Sequence, residues 1–443
     1  MKRWRRFCVW IVVTLVCVVA GSSICLAEYE YIDISKPFLR KIPLAVPRFR
    51  NATASSKEVQ LSNLAADFLS DSLDFTGYFK LLDRDAFLYN AQTDGIITPK
   101  INFQNWKVIG AELLITGHYE LQDGKIGIEL RMFDTFKGRR ILGKRYAGNI
   151  DDQRRIILRF CSEIIKYLTD TAGVFDSKIA FISTGSGTKE IYTCEFDGHK
   201  PRRLTYNNDI TLSPAWSTDG KWMAYTSFKG ENPDLYIRNL LNNREVSIAR
   251  QGLNITPDWV PGKFELAATL SFSGDPEIYL LTGEGKIIKR LTRKSGNDVS
   301  PSWSPDGKKF AFVSNRSGNP QIYIKDITSG EVKRLTFKQG PYNTQPSWSP
   351  RGDKIAYTSQ VNGLHNIVVI GLDGEGATQL TYESGDNEAP SWSSDGSLIV
   401  FSSTRGGPSR IYVMTAYGTD QRRLLVMPGE QTNPKWSKNE ANN

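Results

Sequence analysis

The chain has 443 residues, of which 40% are hydrophobic and 23% are charged. This composition is ordinary for a globular protein and excludes a collagen-like or largely disordered chain, and the length allows one to three domains. The formal net charge is +9, but no stripe of lysine and arginine interleaved with aromatic residues stands out, which argues against nucleic-acid binding.

Residues 1–27 have the pattern of a cleaved secretory signal peptide. Four basic residues lie within Lys2–Arg6, and Phe7–Ala20 is almost wholly apolar. Cys25 and Ala27 are small residues at positions −3 and −1 of the expected cleavage site, as signal peptidase requires. We therefore expect export with cleavage after Ala27. Removing four cations and no acidic residue lowers the formal charge from +9 to +5.

Two other interpretations of this segment are weaker. A membrane anchor needs about 20 apolar residues, and this run is shorter. A lipoprotein needs Gly or Ala before its cysteine, whereas Cys17 follows Val16 and Cys25 follows Ile24. No second segment has the length and apolarity of a membrane span, so we expect a mature protein that does not cross the membrane.

Residues 28–172 predict a small α/β domain. Strands are expected at Leu44–Val46, Phe79–Leu82 and Arg139–Tyr146, with a hairpin of Leu113–Leu121 and Lys125–Phe133. Helical spacing of apolar residues occurs twice, at Leu61, Leu64, Ala65, Phe68 and Leu69, and at Ile157, Phe160, Cys161, Ile164 and Leu168. Cys161 and Cys194, which fall in separate predicted domains, are expected to be free, buried thiols.

Residues 173–443 contain a repeat of 43 to 45 residues, marked by tryptophan. The six copies are centred on Trp216, Trp259, Trp303, Trp348, Trp392 and Trp436. The copies are variants of a Ser-Pro-x-Trp-Ser-x-Asp-Gly pattern, and the copy at Trp259 is degenerate. The segments show a period of two residues and contain tight Asp-Gly turns, so each copy reads as four short strands. This is the pattern of a β-propeller blade.

The copies are offset in a way that predicts ring closure. Lys178–Thr205 supplies three strands without a tryptophan strand before them, and Asn433–Ser437 supplies a tryptophan strand with nothing after it. Together they complete one blade, which leaves no open sheet edge. The sequence therefore predicts a small N-terminal α/β domain followed by an all-β six-bladed propeller, with the tryptophans as packing residues.

The loops that lead into the tryptophan strands carry polar residues in all six copies, at one mouth of the predicted channel. Asn, Asp and Thr are also ordinary turn formers, but their recurrence favours a polar ring for docking a partner protein. The predicted partner-binding residues are Asp209, Thr211, Asn254, Thr256, Asp298, Thr344, Gln345, Glu388 and Thr432. No catalytic residues, metal ligands or cofactor are predicted.

The whole layout resembles the periplasmic TolB family of the Tol-Pal system. The resemblance covers the signal, the α/β domain with Gly77–Arg84, the junction at Leu168–Thr169 and Gly173–Phe175, Lys178–Phe181, and the six repeats. One departure is that the family's last helix often carries a His followed one turn later by an Asp, whereas Leu158–Ser162 has neither. That departure puts in doubt any role that the family gives to that His and that Asp.

The resemblance implies that the protein does not catalyse a reaction but binds others, in cell-envelope integrity and in constriction of the outer membrane at cell division. It implies that the lipoprotein Pal docks at the propeller mouth. It also implies that TolA engages the mature N-terminus, at Glu28, Tyr29, Tyr31 and Asp33.

Two other function classes stay open. A propeller-type hydrolase would need a hydrolase domain with a Gly-x-Ser-x-Gly motif. We expect none, because the sequence stops at Asn443 soon after the last repeat, and nothing marks one of the three histidines as a triad member. A small-ligand or metal-binding propeller is the other alternative.

Overall fold

The computed structural model describes residues 40–88, 95–337, 340–382 and 384–438. The predicted signal peptide, its cleavage site after Ala27 and the predicted TolA segment from Glu28 to Asp33 lie outside the described residues. Arg40–Asn443 forms one compact unit, which contains both the α/β part and the propeller. The strands are numbered β1 to β30 and the helices α1 to α3 in chain order.

The N-terminal part contains one mixed six-stranded sheet. Its strands are β1 (Ile42–Ala45), β2 (Arg50–Asn51), β3 (Phe79–Leu81), β4 (Leu113–Gln122), β5 (Lys125–Asp134) and β6 (Arg139–Asn149). The order is β3-β1-β4-β5-β6, with β2 beside β4. β1 runs parallel to both of its neighbours, whereas β4, β5 and β6 form an antiparallel meander. The predicted hairpin is confirmed, with Asp123 and Gly124 at positive φ in its turn.

The helices of this part are α1 (Ser56–Phe75), α2 (Phe103–Val108) and α3 (Gln153–Thr169). Ser55 caps α1 because its side chain accepts a hydrogen bond from the Glu58 amide. α1 packs against α3, whose apolar stripe is fully buried at Phe160, Cys161 and Ile164. Cys161 and Cys194 are free and buried, as predicted, and burial raises the pKa of both thiols. Neither cysteine is therefore a reactive thiolate.

The rest of the chain forms six antiparallel sheets of four strands each, which are the blades of a propeller. Blade 1 is β30 (Gln431–Trp436), β7 (Lys178–Ser183), β8 (Glu190–Glu195) and β9 (Arg202–Arg203), and blade 2 is β10 (Thr211–Trp216), β11 (Trp222–Ser227), β12 (Asp234–Asn239) and β13 (Glu245–Ile248). Blade 3 is β14 (Asn254–Trp259), β15 (Glu265–Leu270), β16 (Glu277–Thr282) and β17 (Ile287–Arg290), and blade 4 is β18 (Asp298–Trp303), β19 (Lys309–Ser314), β20 (Gln321–Asp326) and β21 (Val332–Arg334). Blade 5 is β22 (Asn343–Trp348), β23 (Lys354–Val361), β24 (Leu364–Gly371) and β25 (Thr378–Gln379), and blade 6 is β26 (Asn387–Trp392), β27 (Leu398–Ser403), β28 (Arg410–Thr415) and β29 (Arg422–Arg423).

The ring closes in blade 1, where the last strand of the chain pairs with the first strand of the propeller. β30 runs antiparallel to β7, with Gln431 opposite Ser183 and Trp436 opposite Ile179. The offset of the sequence repeat predicted this pairing.

The repeating tryptophans pack between blades. Five of the six are buried, and Trp216 is partly buried. The indole Nε1 of Trp259 donates to the Ala215 carbonyl at 3.1 Å, and that of Trp392 donates to the Ser347 carbonyl at 3.1 Å. Each bond therefore links a blade to the blade before it. The tryptophans hold the ring together, as the sequence predicted.

The α/β part packs on blades 1 and 6 through a continuous apolar core. Phe196 of blade 1 makes edge-to-face contacts with Phe75 at 5.2 Å and with Phe175 at 5.3 Å. Arg154 of α3 forms ion pairs with Glu195 and Asp197 at 2.6 and 2.8 Å. Among the described residues, no helix is long and apolar enough to cross a membrane.

Candidate docking site at the channel mouth

The six strands that line the channel, β10, β14, β18, β22, β26 and β30, share one local structure. Their first residue is completely buried in every blade: Thr211, Asn254, Asp298, Asn343, Asn387 and Gln431. Five of these side chains, all but that of Asp298, bond to the loop that precedes their strand. The Asn254 amide donates to the Asp234 carboxylate and to the Arg250 carbonyl, and the Gln431 amide donates to the Pro428 carbonyl at 3.0 Å.

The third residue of each of these strands has positive φ, between 49° and 54°: Ser213, Thr256, Ser300, Gln345, Ala389 and Asn433. The pairing register with the second strand of the blade shifts at the same place in all six blades. This is a β-bulge, which adds one residue to the inner strand. The bulge residues and the prolines that follow them form a ring around a cavity of about 150 Å³ in the channel.

Three of the predicted partner-binding residues need correction, because they are buried. Thr211, Asn254 and Asp298 are each 0% exposed. The Asp298 carboxylate accepts from the Arg316 guanidinium at 2.6 Å, in an ion pair that is itself almost fully buried. Because a buried group that is bonded to neighbouring strands and loops cannot touch a partner, we assign these three residues to the loop scaffold.

Beside the channel mouth lies a larger cleft of about 610 Å³, shared by blades 4, 5 and 6. Three predicted residues, Thr344, Gln345 and Glu388, line it. The rest of the lining is mostly polar: Asn297, Val299, Ser300, Val313, Asn315, Pro320, Tyr342, Gln360 and His365. The remaining three predicted residues also lie outside this lining. Thr256 belongs to the channel ring, Asp209 accepts a hydrogen bond from the Ile210 amide in the loop before blade 2, and Thr432 is paired with Ile182 in blade 1.

The charged groups of the cleft meet at its blade 5 and blade 6 side. Nδ1 of His365 lies 3.2 Å from the Asp386 carboxylate and 3.8 Å from the Glu388 carboxylate. The Tyr342 ring packs edge-on near the imidazole, with centroids 6.2 Å apart. Partial burial raises the pKa of the Glu388 carboxyl; the His365 ring opposes this effect, and Asp386 adds to it. Among the described residues, no cluster of three His, Cys, Asp or Glu side chains suits a metal ion.

His365 was not among the predicted docking residues, although the sequence contains a signal for its position. In blade 5 the segment 360–365 continues the ladder, with Gln360 opposite His365 and Val361 opposite Leu364. The turn is Asn362-Gly363, both at positive φ, which is the favoured two-residue hairpin turn. The equivalent six residues of blade 4, 315–320, form a loop instead. The Asn-Gly pair therefore marks a hairpin that carries His365 to the cleft.

Two family models match the chain. A model described as the TolB amino-terminal domain matches residues 30–141, and one described as the TolB beta propeller domain matches residues 165–440. Together they cover both parts of the described fold, and the propeller model alone covers more than half of the chain.

Individual relatives agree with these matches. The chain is 55% identical over 270 residues to the "Tol-Pal system protein TolB" of Desulfosudis oleivorans, which is 61% of this chain and 62% of that protein. It is 45% identical over 271 residues to the "Protein TolB homolog" of Chlorobium chlorochromatii, 61% of this chain and 60% of that one. These alignments thus span about three fifths of the relatives' length.

A solved structure extends the likeness to nearly the whole described fold. The crystal structure of TolB from Acinetobacter baumannii superposes with a TM-score of 0.78 and 27% sequence identity. The superposition covers 90% of this chain and 97% of that one.

Proposed function

The chain belongs to the TolB family, and on that premise we propose that it is a protein-binding component of the Tol-Pal system that docks Pal at the channel mouth. In this proposal the protein is exported to the periplasm and contributes to outer-membrane integrity and to constriction during cell division. It binds rather than catalyses. The observation that carries the docking proposal is the polar cleft of blades 4, 5 and 6, which holds three of the predicted residues.

The cleft has the physical features of a preformed protein-binding site. Most of its lining residues lie on β-strands, so little ordering entropy is lost on binding. The lining mixes amides and hydroxyls with an exposed aromatic ring, Tyr342, and tyrosine is common at binding hot spots. Gln345 is fixed in place because its carbonyl oxygen accepts from the Thr358 hydroxyl at 2.7 Å and from the Ala389 amide at 2.9 Å. Polar walls of this kind suit a partly wet interface.

The test is the affinity of purified Pal for variants of the cleft, measured by calorimetry. Thr344→Arg places a long cation in the cleft, and Glu388→Arg reverses the charge of a half-exposed carboxylate. Each should weaken binding by about tenfold or more, since a desolvated contact of about 1.4 kcal/mol is lost. Lys308→Glu, in the exposed turn between β18 and β19 at the other end of the blade, is the matched control and should leave affinity unchanged. Equal binding by all four proteins would disprove docking at this cleft.

The predicted TolA segment is a separate proposal with its own test. Deleting residues 28–34 should abolish binding of TolA and leave the affinity for Pal unchanged in the same preparation. TolA binding that survives the deletion would place its site elsewhere on the chain.

A hydrolase is the second candidate, and one observation favours it. The His365–Asp386 pair, at 3.2 Å, lies at a cleft that Ser300 also lines. Serine, histidine and aspartate are the residue types of a catalytic triad. Among the described contacts, however, none joins Ser300 to His365; the Ser300 amide bonds to the Thr256 hydroxyl instead. Hydrolysis of ester, peptide or glycoside panels that is lost in both Ser300→Ala and His365→Ala would establish the enzyme. The remaining alternative is a small ligand bound in the cleft or the channel. Titrating candidate ligands into the protein without Pal, by calorimetry, would detect such binding as heat.

A further inference from the structure

A second, larger groove of about 1110 Å³ lies across blades 1, 2 and 3. It is formed by β9 and by the turns that follow β10, β12 and β14. Because each inner strand begins at the channel mouth with the docking cleft, the turn that follows that strand lies at the opposite face of the propeller. The groove is therefore independent of the proposed Pal site.

The lining of this groove is strongly cationic. It contains one carboxylate, Asp219, and six cations: Lys178, Arg202, Arg203, Lys221, Arg238 and Lys263. The Asp219 carboxylate is engaged in its own turn, where it accepts from the Ser217 hydroxyl at 2.6 Å and from the Lys221 amide at 3.1 Å.

Three of these cations, Arg238, Lys221 and Lys263, have no carboxylate partner among the described contacts. Arg203 is paired with the buried Glu190 at 2.9 Å. The Arg238 guanidinium donates only to neutral oxygens among the described groups, the Leu204 carbonyl and the Asn243 side chain, each at 3.0 Å. Lys221 and Lys263 are exposed. The groove thus presents a positive field that attracts an anionic ligand.

Apolar side chains lie among these charges, and two of them, Phe264 and Tyr206, pack on neighbouring side chains. The Phe264 ring is 45% exposed, yet it packs on Trp222 at 5.0 Å and on Trp259 at 5.6 Å between centroids. Leu241 is 75% exposed. Tyr206 is also exposed and is fixed under the Arg203 guanidinium, 4.5 Å from its ring centroid. Preordered aromatic residues lose little entropy on binding and act as anchors.

We propose that this groove binds an acidic protein segment that carries aliphatic or aromatic side chains. The acidic groups pair with the cations of blades 1 to 3, and the apolar groups pack on Phe264 and Leu241. A phosphate polyanion would use the cations alone and would leave the apolar anchors without a partner, and a lipid surface is too flat to follow a groove. Because the groove combines positive charge with exposed apolar side chains, a protein segment fits it better than a simple polyanion does.

The test uses the mature protein and a short fluorescein-labelled peptide of alternating acidic and Leu or Phe residues, with binding measured by fluorescence anisotropy. Lys221→Glu combined with Lys263→Glu should reduce affinity by about tenfold or more, and the loss should shrink as salt screens the charges. Leu241→Ser should weaken binding at every salt concentration, because its contribution is apolar. Thermal melting confirms that each variant is folded.

The matched control is Lys308→Glu with Lys333→Glu, which makes the same charge change at exposed positions of blade 4. It should bind like the parent protein. Peptides in which Gln replaces the acidic residues, or Ser replaces the apolar ones, should bind weakly. The proposal is overturned if the parent protein does not bind the peptide, or if the groove and control variants bind it equally. It is also overturned if phosphatidylglycerol vesicles, and not the peptide, depend on Lys221 and Lys263.

Discussion

Two carboxylates near the channel mouth illustrate how burial decides the role of a residue. Asp298 and Glu388 are both polar residues at the start of an inner strand, yet the Asp298 side chain is 1% exposed and the Glu388 side chain is 45% exposed. Asp298→Lys should lower the free energy of unfolding by about 3–5 kcal/mol, because it places a second cation beside the buried Arg316. Urea denaturation measures this, with Glu388→Lys expected to change the value by no more than about 0.5 kcal/mol. Equal effects would show that the Asp298 pair is unimportant.

Glu388 also makes the stability depend on pH. Burial raises the pKa of its carboxyl above the ordinary value of 4.5, so the folded state favours the protonated form. The stabilisation from that protonated group is complete below about pH 4.5 and is lost as the pH rises through the raised pKa. Glu388→Gln should therefore melt slightly higher than the parent at pH 7.5, by about 1 °C or less because the side chain is half-exposed and solvent screens it, and equally at pH 4.

The measurement is thermal melting of both proteins across this pH range. His365 and Asp386 face the same carboxyl and are present in both proteins. A lower melting temperature for Glu388→Gln at pH 7.5 would mean that the contact of the carboxylate with His365 outweighs the cost of burial.

At the level of strands, the sequence predicted the blades well and the orientation of the docking residues poorly. The tryptophan spacing fixes six blades and their closure because each indole is needed between two sheets. The docking residues were predicted as loop residues, however, whereas Asp298 is the first residue of β18 and its carboxylate is buried against Arg316. The bulge at residues such as Ser300 then adds one residue to the inner strand, so simple alternation does not hold along its whole length. The short helix α2 and the two-residue strand β2 were missed because six or fewer residues carry little periodicity.

The β23–β24 hairpin gives a prediction at this scale. Replacing residues 360–365 with the six residues that stand at 315–320 keeps the length but exchanges a paired hairpin for a loop. The propeller should still fold, since blade 4 carries that loop natively, but the cleft loses Gln360 and His365. Affinity for Pal should fall by about tenfold or more. The same six residues inserted in blade 3 at 271–276, away from the cleft, serve as the control and should bind Pal normally.

At the scale of the whole molecule, the closing strand belongs to a core that joins the propeller to the α/β part. Trp436 lies in the same apolar cluster as Phe160 and Ile164 of α3 and Phe175 of the junction. Its indole donates to the Ser177 hydroxyl at 2.7 Å, close to where the chain enters the propeller. Loss of the closing strand should therefore lower the stability of both the propeller and the α/β part.

Truncation of the chain before Gln431 tests this coupling. It exposes the edge of β7 and removes the buried Trp436, and by comparison with Trp-to-Ala changes in cores this costs roughly 3–5 kcal/mol or more. It also removes the hydrogen bond from the Ser437 amide to the Lys178 carbonyl. Calorimetry should show a single transition, shifted down by many degrees, in which the α/β part and the propeller unfold together. Truncation after Lys438, which leaves β30 intact, should melt like the full chain. If the shorter protein melts within a few degrees of the intact one, the closing strand does not hold the ring; if it shows two separate transitions, the common core does not couple the parts.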